Sequence, residues 1–500
     1  MSFERWFEER IGTSEIRRAL LDRKVPNRLT WWHTLGSATL AVFMVQVVTG
    51  VLLAMYYSPS PDHAYNSIRF IEQQVVSGSM LRGIHHWGAS AMVVLVMAHM
   101  IRVFTMGAYK YPREANWVLG VGLFAVVMGF GFTGYLLPWD QKAYWATEVG
   151  TNIAGTTPVV GGIMLKLLRG GTQLGAATLT RFYALHVLLL PLMFAGLVGL
   201  HMFLVIRQGI SARAAALEVD APSTTDDPSY PGYYEAAYAR SKTADIRFWP
   251  DIIAKDAVMA TLVIVVLVVL AMYKGASLEP PADPSDTSYV PRPEWYFLPF
   301  FHLLKLVPGS MEAAVAVGVP AALMVAMLML PFYDRASSRS FSRRPIARVA
   351  LTALLGGSGL LIGASVAEDT GEGTPPEVGR PLSSIERAGR ALYRSQQCGS
   401  CHVIAGDVSA EAAEDAPDAP ELTTVGLKHS GAWLHSFMED PGRFHADSKM
   451  PAFGPPSLSH QEIEELTRYL MTLRGPDGWS VKPEYADTFP PPLKKSEKQP

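Results

Sequence analysis

Residues 181–208 read RFYALHVLLLPLMFAGLVGLHMFLVIRQ, an apolar run long enough to cross a bilayer as a helix and carrying two histidines, His186 and His201. A second run, residues 84–102, IHHWGASAMVVLVMAHMIR, carries His85 and His99. On an α-helix advancing roughly 100° and 1.5 Å per residue, separations of fourteen and fifteen residues return to nearly the same face about 21 to 22 Å further along. Each helix therefore offers one imidazole near each membrane surface. His86 adjoins His85, and the fourteen-residue interval to His99 selects His85.

Ionisable residues inside a membrane are costly and mark sites. Four histidines at matching intervals on two helices can clamp two haems, one above the other, each iron held by one histidine from each helix. Any one of them alone would read as a polar residue packed in a bundle; the set reads as a site. Gly36 and Gly50 in the first span and Gly120 and Gly134 in the third repeat the fourteen-residue interval. Singly they suggest close helix contact through small residues, whereas the matched spacing points to room for a flat macrocycle against the backbone. Arg82, Arg102 and Arg181 stand at helix ends near the histidines, where they can pair with haem propionates or simply extend their charged ends toward water.

The whole composition agrees with a membrane protein. Of 500 residues 49% are hydrophobic, and the formal charge is only -2. Seven apolar spans are expected, at about 31–57, 84–106, 116–137, 183–206, 252–273, 313–332 and 346–366. The fold class is therefore all-α: a polytopic bundle of a four-helix dihaem block and a three-helix block, followed by a small soluble domain. The segments are a cytoplasmic amphipathic leader 1–30, the four-helix domain 31–210, a cytoplasmic connector 211–251, the three-helix domain 252–366, a Pro/Gly linker 367–384, the soluble domain 385–476 and a Pro/Lys-rich tail 477–500. PWDQKAYWATEVGTN and GGIMLKLLRGG, within 138–180, read as short interfacial helices. No cleavable signal peptide is visible. Arginines and lysines concentrate in the leader and in the sixth loop, where Arg335, Arg339, Arg343, Arg344 and Arg348 lie, so the N-terminus is expected on the cytoplasmic side and residues after 366 on the periplasmic side of the inner membrane.

Both cysteines fall in one motif, Cys398-Gly-Ser-Cys401-His402, which excludes a disulfide framework. It reads as a c-type haem attachment sequence, the thiols adding to the vinyl groups and His402 ligating the iron. A redox dithiol or half a zinc site is the other reading, but no second ligand pair completes a zinc site. Met450, in SKMPAF, is the expected sixth ligand. Met438 is its rival and sits in a helical pattern, HSGAWLHSFMED, that favours a core role. The acidic insert GDVSAEAAEDAPDAPE reads as a solvated loop that could steer a basic partner. A capping box is expected from Ser459 to Glu462. Pro293-Glu294-Trp295-Tyr296, just before the sixth span, places a carboxylate among aromatics near the membrane surface, suited to accept a proton from a quinol hydroxyl. An interfacial aromatic belt with an incidental glutamate would look similar.

The paired-histidine helices, the glycine pairs, LPWDQKAYWA and PEWY resemble cytochrome b of the quinol:cytochrome c oxidoreductases over roughly residues 20 to 366. The fifteen-residue interval, TRFYALH and IRQGIS are similar to the plastoquinol-oxidising bf branch, in which the two blocks are separate chains; residues from about 384 to 476 resemble a monohaem class I cytochrome c. One departure is that the cysteine which attaches an additional haem in the bf branch is replaced here by Thr34, and neighbouring His33 reads as a structural polar residue.

The resemblance implies a proton-translocating enzyme subunit with two non-covalent haem b groups, held by His85 with His186 on the outer side and His99 with His201 on the inner, and one covalent haem c. Quinol would be oxidised at Pro293, Glu294, Trp295 and Tyr296, with Glu294 and Tyr296 catalytic. One electron would cross through the b haems and the other would pass through a Rieske protein to haem c. A Rieske cluster needs two cysteines of its own, and both cysteines here are committed, so a separate Rieske subunit is an expected partner. The membrane quinone pool, a soluble or membrane cytochrome c or other periplasmic acceptor, and a second copy in a homodimer complete the partners; nothing points to nucleic acid. The competing reading is a cytochrome b anchor passing electrons from a dehydrogenase to the quinone pool, which leaves PEWY and the soluble domain unexplained.

Overall fold

In a computed structural model, residues 2–171, 173–242, 246–279, 281–282, 292–370, 382–404, 419–420, 422–423, 425–444 and 448–473 are described. The stretch 371–381 of the linker, nearly all of the acidic insert, and the tail fall outside them. The described residues are helical and contain no named strand. They divide into two compact units, one holding residues 1–282 and 291–362 and the other 363–500 with 283–290.

The leader forms two helices, α1 (Phe3–Ile11) and α2 (Thr13–Leu20). Gly12, at φ +67°, breaks them apart, a left-handed conformation that glycine adopts without penalty. Ser14 and Thr13 then hydrogen-bond the Glu8 carboxylate and hold its pKa below the ordinary range.

Seven helices are long and apolar enough to cross a membrane: Trp31–Ala54, Gly78–Thr105, Glu114–Tyr135, Ala176–Gln208, Phe248–Lys274, Met311–Tyr333 and Pro345–Ala367. The first contains α3 (Leu35–Ala54). A short α4 (Ala64–Gln74) leads to α5 (Gly78–Thr105), and α6 (Glu114–Tyr135) follows. Two short helices, α7 (Gln141–Gly155) and α8 (Gly161–Arg169), occupy the two stretches expected to be interfacial.

The fourth span is composite: α9 (Ala176–Ala184), a π-helical turn (Leu185–Leu189) and α10 (Leu190–Gln208). Its cause is Pro191, which has no N–H to offer the Val187 carbonyl and whose ring would collide with it in a regular helix. The backbone widens instead, and the Leu190 N–H bonds Leu185 O, five residues back.

One core joins the first four spans: Val42, Met92, Val93, Val96, Leu123, Val126, Val127 and Phe194, with Leu267 of the fifth span packed among them. The segment 211–251 is more than a connector. It holds α11 (Ala214–Leu217) and α12 (Tyr230–Arg240), whose Tyr230 and Tyr234 form a cluster with Leu217 and Ala237.

The fifth span, ending in α13 (Ile253–Lys274), lies against α5 where Gly83 leaves space; a Cβ there would stand 2.9 Å from Ala271 Cβ. Trp87 Nε1 donates to Gly275 O at 2.7 Å and ties the helix ends. After α14 (Leu298–Lys305) come α15 (Gly309–Tyr333) and α16 (Pro345–Thr370). The loop between these last two is bolted to the loop after α5. Lys110 Nζ meets Asp334 Oδ1 at 2.6 Å, and Arg339, fully buried, donates to the carbonyls of Gly107 at 2.8 Å and Tyr111 at 2.7 Å. Arg344 donates to Tyr109 Oη at 2.9 Å. Two of the sixth-loop arginines, Arg339 and Arg344, are thus spent inside the protein, where carbonyls and an aspartate compensate the loss of water.

The second unit contains α17 (Ser384–Ser395), α18 (Val425–Lys428), α19 (Gly431–Glu439) and α20 (His460–Leu470). Capping boxes start α17 (Ser383 with Glu386) and α20 (Ser459 with Glu462), the second where the sequence places it. Helices α17 and α20 cross at Gly389, whose Cβ, if present, would collide with Glu465 O at 1.9 Å. Tyr393 and Tyr469 pack beside the crossing in a core with Ile404, Leu434, Met438 and Ile463.

Candidate functional site

His85 on α5 and His186 in the π turn face one another, ring centroids 6.4 Å apart and planes at 70°. Two metal–imidazole bonds of about 2 Å on either side of one iron, plus the half-widths of the rings, span about 6 Å. The pair fits a single six-coordinate iron between them.

Two threonines that the sequence reading did not single out settle which nitrogen is free. Thr49 donates its hydroxyl proton to Val45 O at 2.7 Å and lies 2.8 Å from His85 Nδ1. Thr133 donates to Gly129 O at 2.8 Å and lies 3.0 Å from His186 Nδ1. With the hydroxyl proton given to the carbonyl, each oxygen accepts from Nδ1–H, which leaves the lone pair of each imidazole on Nε2. This is the arrangement by which a second group orients a ligating histidine. The signal was visible as a Thr-Gly dipeptide in both helices, Thr49-Gly50 and Thr133-Gly134. His86, by contrast, turns its ring edge-on to Trp87 at 5.4 Å.

His99 on α5 and His201 on α10 line a cavity, partly open to the surroundings, together with Gly36, Gly120, Thr39, Val96 and Phe194. His201 is bonded by the Asn116 backbone, whereas His99 Nδ1 is buried without a hydrogen-bond partner among the described residues, as are Nε and Nη2 of nearby Arg102. Orphaned donors in an apolar cavity suit a flat ligand with anionic groups at its edge.

Each of the four glycines lies against one imidazole. A Cβ at Gly36 would stand 3.0 Å from His99 Cε1, at Gly50 3.2 Å from His85 Cε1, at Gly120 4.0 Å from His201 Cε1 and at Gly134 2.6 Å from His186 Cε1. The room the glycines leave is thus occupied by the edge of the histidine ring itself. The three arginines divide. Arg82 is committed to Glu72 and to the carbonyls of Ala276 (2.7 Å) and Ser277 (2.8 Å), and Arg181 to those of Lys166 (2.8 Å) and Leu167 (2.6 Å), while Arg102 keeps unsatisfied donors. His33 Nδ1 receives the Thr30 amide at 3.1 Å in the turn before α3, a structural task.

Pro293-Glu294-Trp295-Tyr296 folds over the His85/His186 end. Trp295 Nε1 reaches Ser90 Oγ at 3.4 Å, and Tyr296 packs on Gly131, one turn from Gly134. Glu294 is paired with Lys142 of α7, Oε1 to Nζ 3.0 Å, a partner the sequence reading missed. Burial, and then the Glu294 charge, push the Tyr296 hydroxyl up, so it stays protonated.

In the second unit Cys398 opens a short 3-10 turn, and the His402 amide donates to Cys398 O at 3.0 Å. Both thiols are free, and burial pushes that of Cys398 up to about 11. His402 Nδ1 donates to Pro420 O at 2.8 Å and leaves Nε2 available to a metal. Met450 is partly buried against the core, whereas Met438 is 3% exposed inside it on α19. The donor set of two thiols, one oriented imidazole and one partly exposed thioether fits a covalently held haem.

The chain matches three family models: "Cytochrome b/b6/petB" over residues 20–209, "Cytochrome b(C-terminal)/b6/petD" over 281–371 and "Cytochrome c" over 386–474. It is 43% identical over 214 residues to the menaquinol:cytochrome c reductase cytochrome b subunit of Geobacillus thermodenitrificans, covering 41% of this chain and 96% of that one. To cytochrome b6 of Heliobacterium mobile it is 43% identical over 208 residues, 41% of this chain and 98% of the other. A solved structure described as hyperthermophilic respiratory Complex III aligns with a TM-score of 0.62 and 28% identity, over 72% of this chain and 91% of that one. Seven apolar spans and both parts of the b family in one polypeptide lead to one conclusion: the chain is an integral membrane protein of the cytochrome b/b6 family, joined to a cytochrome c domain.

Proposed function

We propose that this chain is the cytochrome b and c subunit of a proton-translocating quinol:cytochrome c oxidoreductase that takes its quinol at the His85/His186 end. The observation that carries the reading is the convergence at that end of the His85/His186 pair and the Glu294 loop, with Trp295 on Ser90 and Tyr296 on Gly131.

His85 with His186 and His99 with His201 would each hold a non-covalent haem b; Cys398, Cys401, His402 and Met450 would hold one covalent haem c. Bound haem supplies one-electron carriage, so that the two electrons of a quinol can part, one across the membrane and the other by way of a separate Rieske subunit to the c domain. Glu294 takes a quinol proton as its carboxylate, and the Lys142 ammonium 3.0 Å away orients that carboxylate until the quinol arrives. The neutral Tyr296 hydroxyl donates to the quinol oxygen. Trp295 and Pro293 shape the apolar wall. Arg102, with its unspent donors, holds a propionate at the His99/His201 end.

The N-terminus is cytoplasmic in this scheme, the c domain periplasmic, and the assembly a homodimer in the inner membrane that passes electrons to a periplasmic acceptor. The test is turnover of the purified complex with Glu294→Gln. Quinol-driven cytochrome c reduction should fall by about tenfold or more with both haem spectra unchanged; unchanged turnover would remove Glu294 from the mechanism.

A further inference from the structure

Among its described residues the second unit brings together three side chains that family membership does not explain. His435 and Glu439 are one turn apart on α19, and His460 is the first residue of α20. Their ligand atoms all lie within 4.8 Å of one another. Glu439 sits between the two rings, Oε1 2.7 Å from His460 Nδ1 and Oε2 3.9 Å from His435 Nδ1. The imidazoles are nearly parallel, at 8°, with centroids 6.3 Å apart.

We propose that His435, Glu439 and His460 form a binding site for a divalent transition-metal ion of the zinc type, distinct from the haem centre. Two imidazoles and one carboxylate form a three-ligand zinc set that leaves a fourth position for water. With metal–ligand bonds of about 2.1 Å the donor atoms must settle about 3.4 Å apart, a rotamer-scale adjustment from the present spacing. A plain surface ion pair would need one histidine; here two converge on one carboxylate from separate helices, and would repel each other if both were protonated. Side-chain exposures of 15%, 29% and 50% leave the site open to an ion from solution.

The scaffold under the three ligands is already rigid. The Ser459–Glu462 capping box fixes the first turn of α20, and Gly454 N–H bonds Glu439 O at 3.2 Å at the end of α19. Leu434 and Ile463 bury the facing sides of the two helices in one core.

The test uses the full chain, purified in detergent with its haem, stripped of adventitious metal with a chelator and titrated with Zn²⁺ alone. One zinc equivalent per chain should weaken by roughly tenfold or more in each of His435→Ala, Glu439→Gln and His460→Ala, with any zinc sites elsewhere and the haem c spectrum unchanged. In the unaltered chain, zinc should protect His435 and His460 from diethylpyrocarbonate, read by mass spectrometry of the modified peptides. Equal zinc stoichiometry and affinity in all three variants, or no protection of the two histidines, would overturn the proposal.

Discussion

Thr133 accepts the Nδ1 proton of His186 at 3.0 Å while its own proton goes to Gly129 O, so a residue on one helix determines which nitrogen of an imidazole on another is free. Thr49 does the same for His85, while at the other end of the bundle the Asn116 backbone bonds His201 and His99 Nδ1 has no hydrogen-bond partner among the described residues.

Replacing Thr133 by Val keeps the shape and removes the acceptor. We expect the haem b at the His85/His186 end to lose affinity by roughly tenfold or more, with a shifted midpoint potential in a redox titration, and Thr133→Ser to restore both. The same potential in Thr133→Val and the parent would show that the hydroxyl does not orient His186.

Glycine substitutions should rank by the space the imidazoles leave. Gly134→Ala puts a methyl 2.6 Å from His186 Cε1 and should cost the chain one b haem, whereas Gly120→Ala, with 4.0 Å to His201 Cε1, should keep both. The haem b to haem c ratio of the purified variants reads this directly, and equal loss in the two variants would contradict the ranking.

The π turn accounts for the unequal histidine intervals. In a continuous α-helix a fifteenth residue would turn His201 roughly 100° further than a fourteenth, but the wide turn at Leu185–Leu189 absorbs it. Deleting Leu188, which is 62% exposed, together with Pro191→Ala should give a regular helix with a fourteen-residue interval and full haem b content. Inserting one alanine between His85 and His99 should lose haem instead.

Arg102 and Arg181 should separate by function. Arg102→Gln removes buried donors that have no protein partner and should shift the potential of the haem at the His99/His201 end; Arg181→Gln breaks only its bonds to Lys166 and Leu167 carbonyls and should leave both b potentials in place. Redox-resolved optical titration distinguishes the two.

Much of this molecule is legible from local pattern. Long apolar runs identify the spans because a lipid-crossing helix must satisfy its own backbone and leave its side chains apolar. The short helices α7 and α8 and the capping box at Ser459 followed from composition in the same way. The leader was less legible. Its amphipathic pattern continues through Gly12, but the left-handed backbone there and the bonds from Ser14 and Thr13 to Glu8 make two helices. The sixth-loop arginines were misleading in part, since charge counting cannot tell Arg343, which is exposed, from Arg339, which is fully buried against the carbonyls of Gly107 and Tyr111.

The sequence by itself determined the membrane character, the candidate histidines and the single pair of thiols, all properties of residue type and short-range spacing. Only the tertiary structure decided that Pro191 opens a π turn to absorb the odd residue, that two threonines stand against the imidazoles, and that Lys142 pairs with Glu294. The reason is physical. Hydropathy and helical period are summed along neighbouring residues, whereas a hydrogen bond such as Thr49 to His85 or Thr133 to His186 joins groups 36 and 53 residues apart and exists only once the helices have packed.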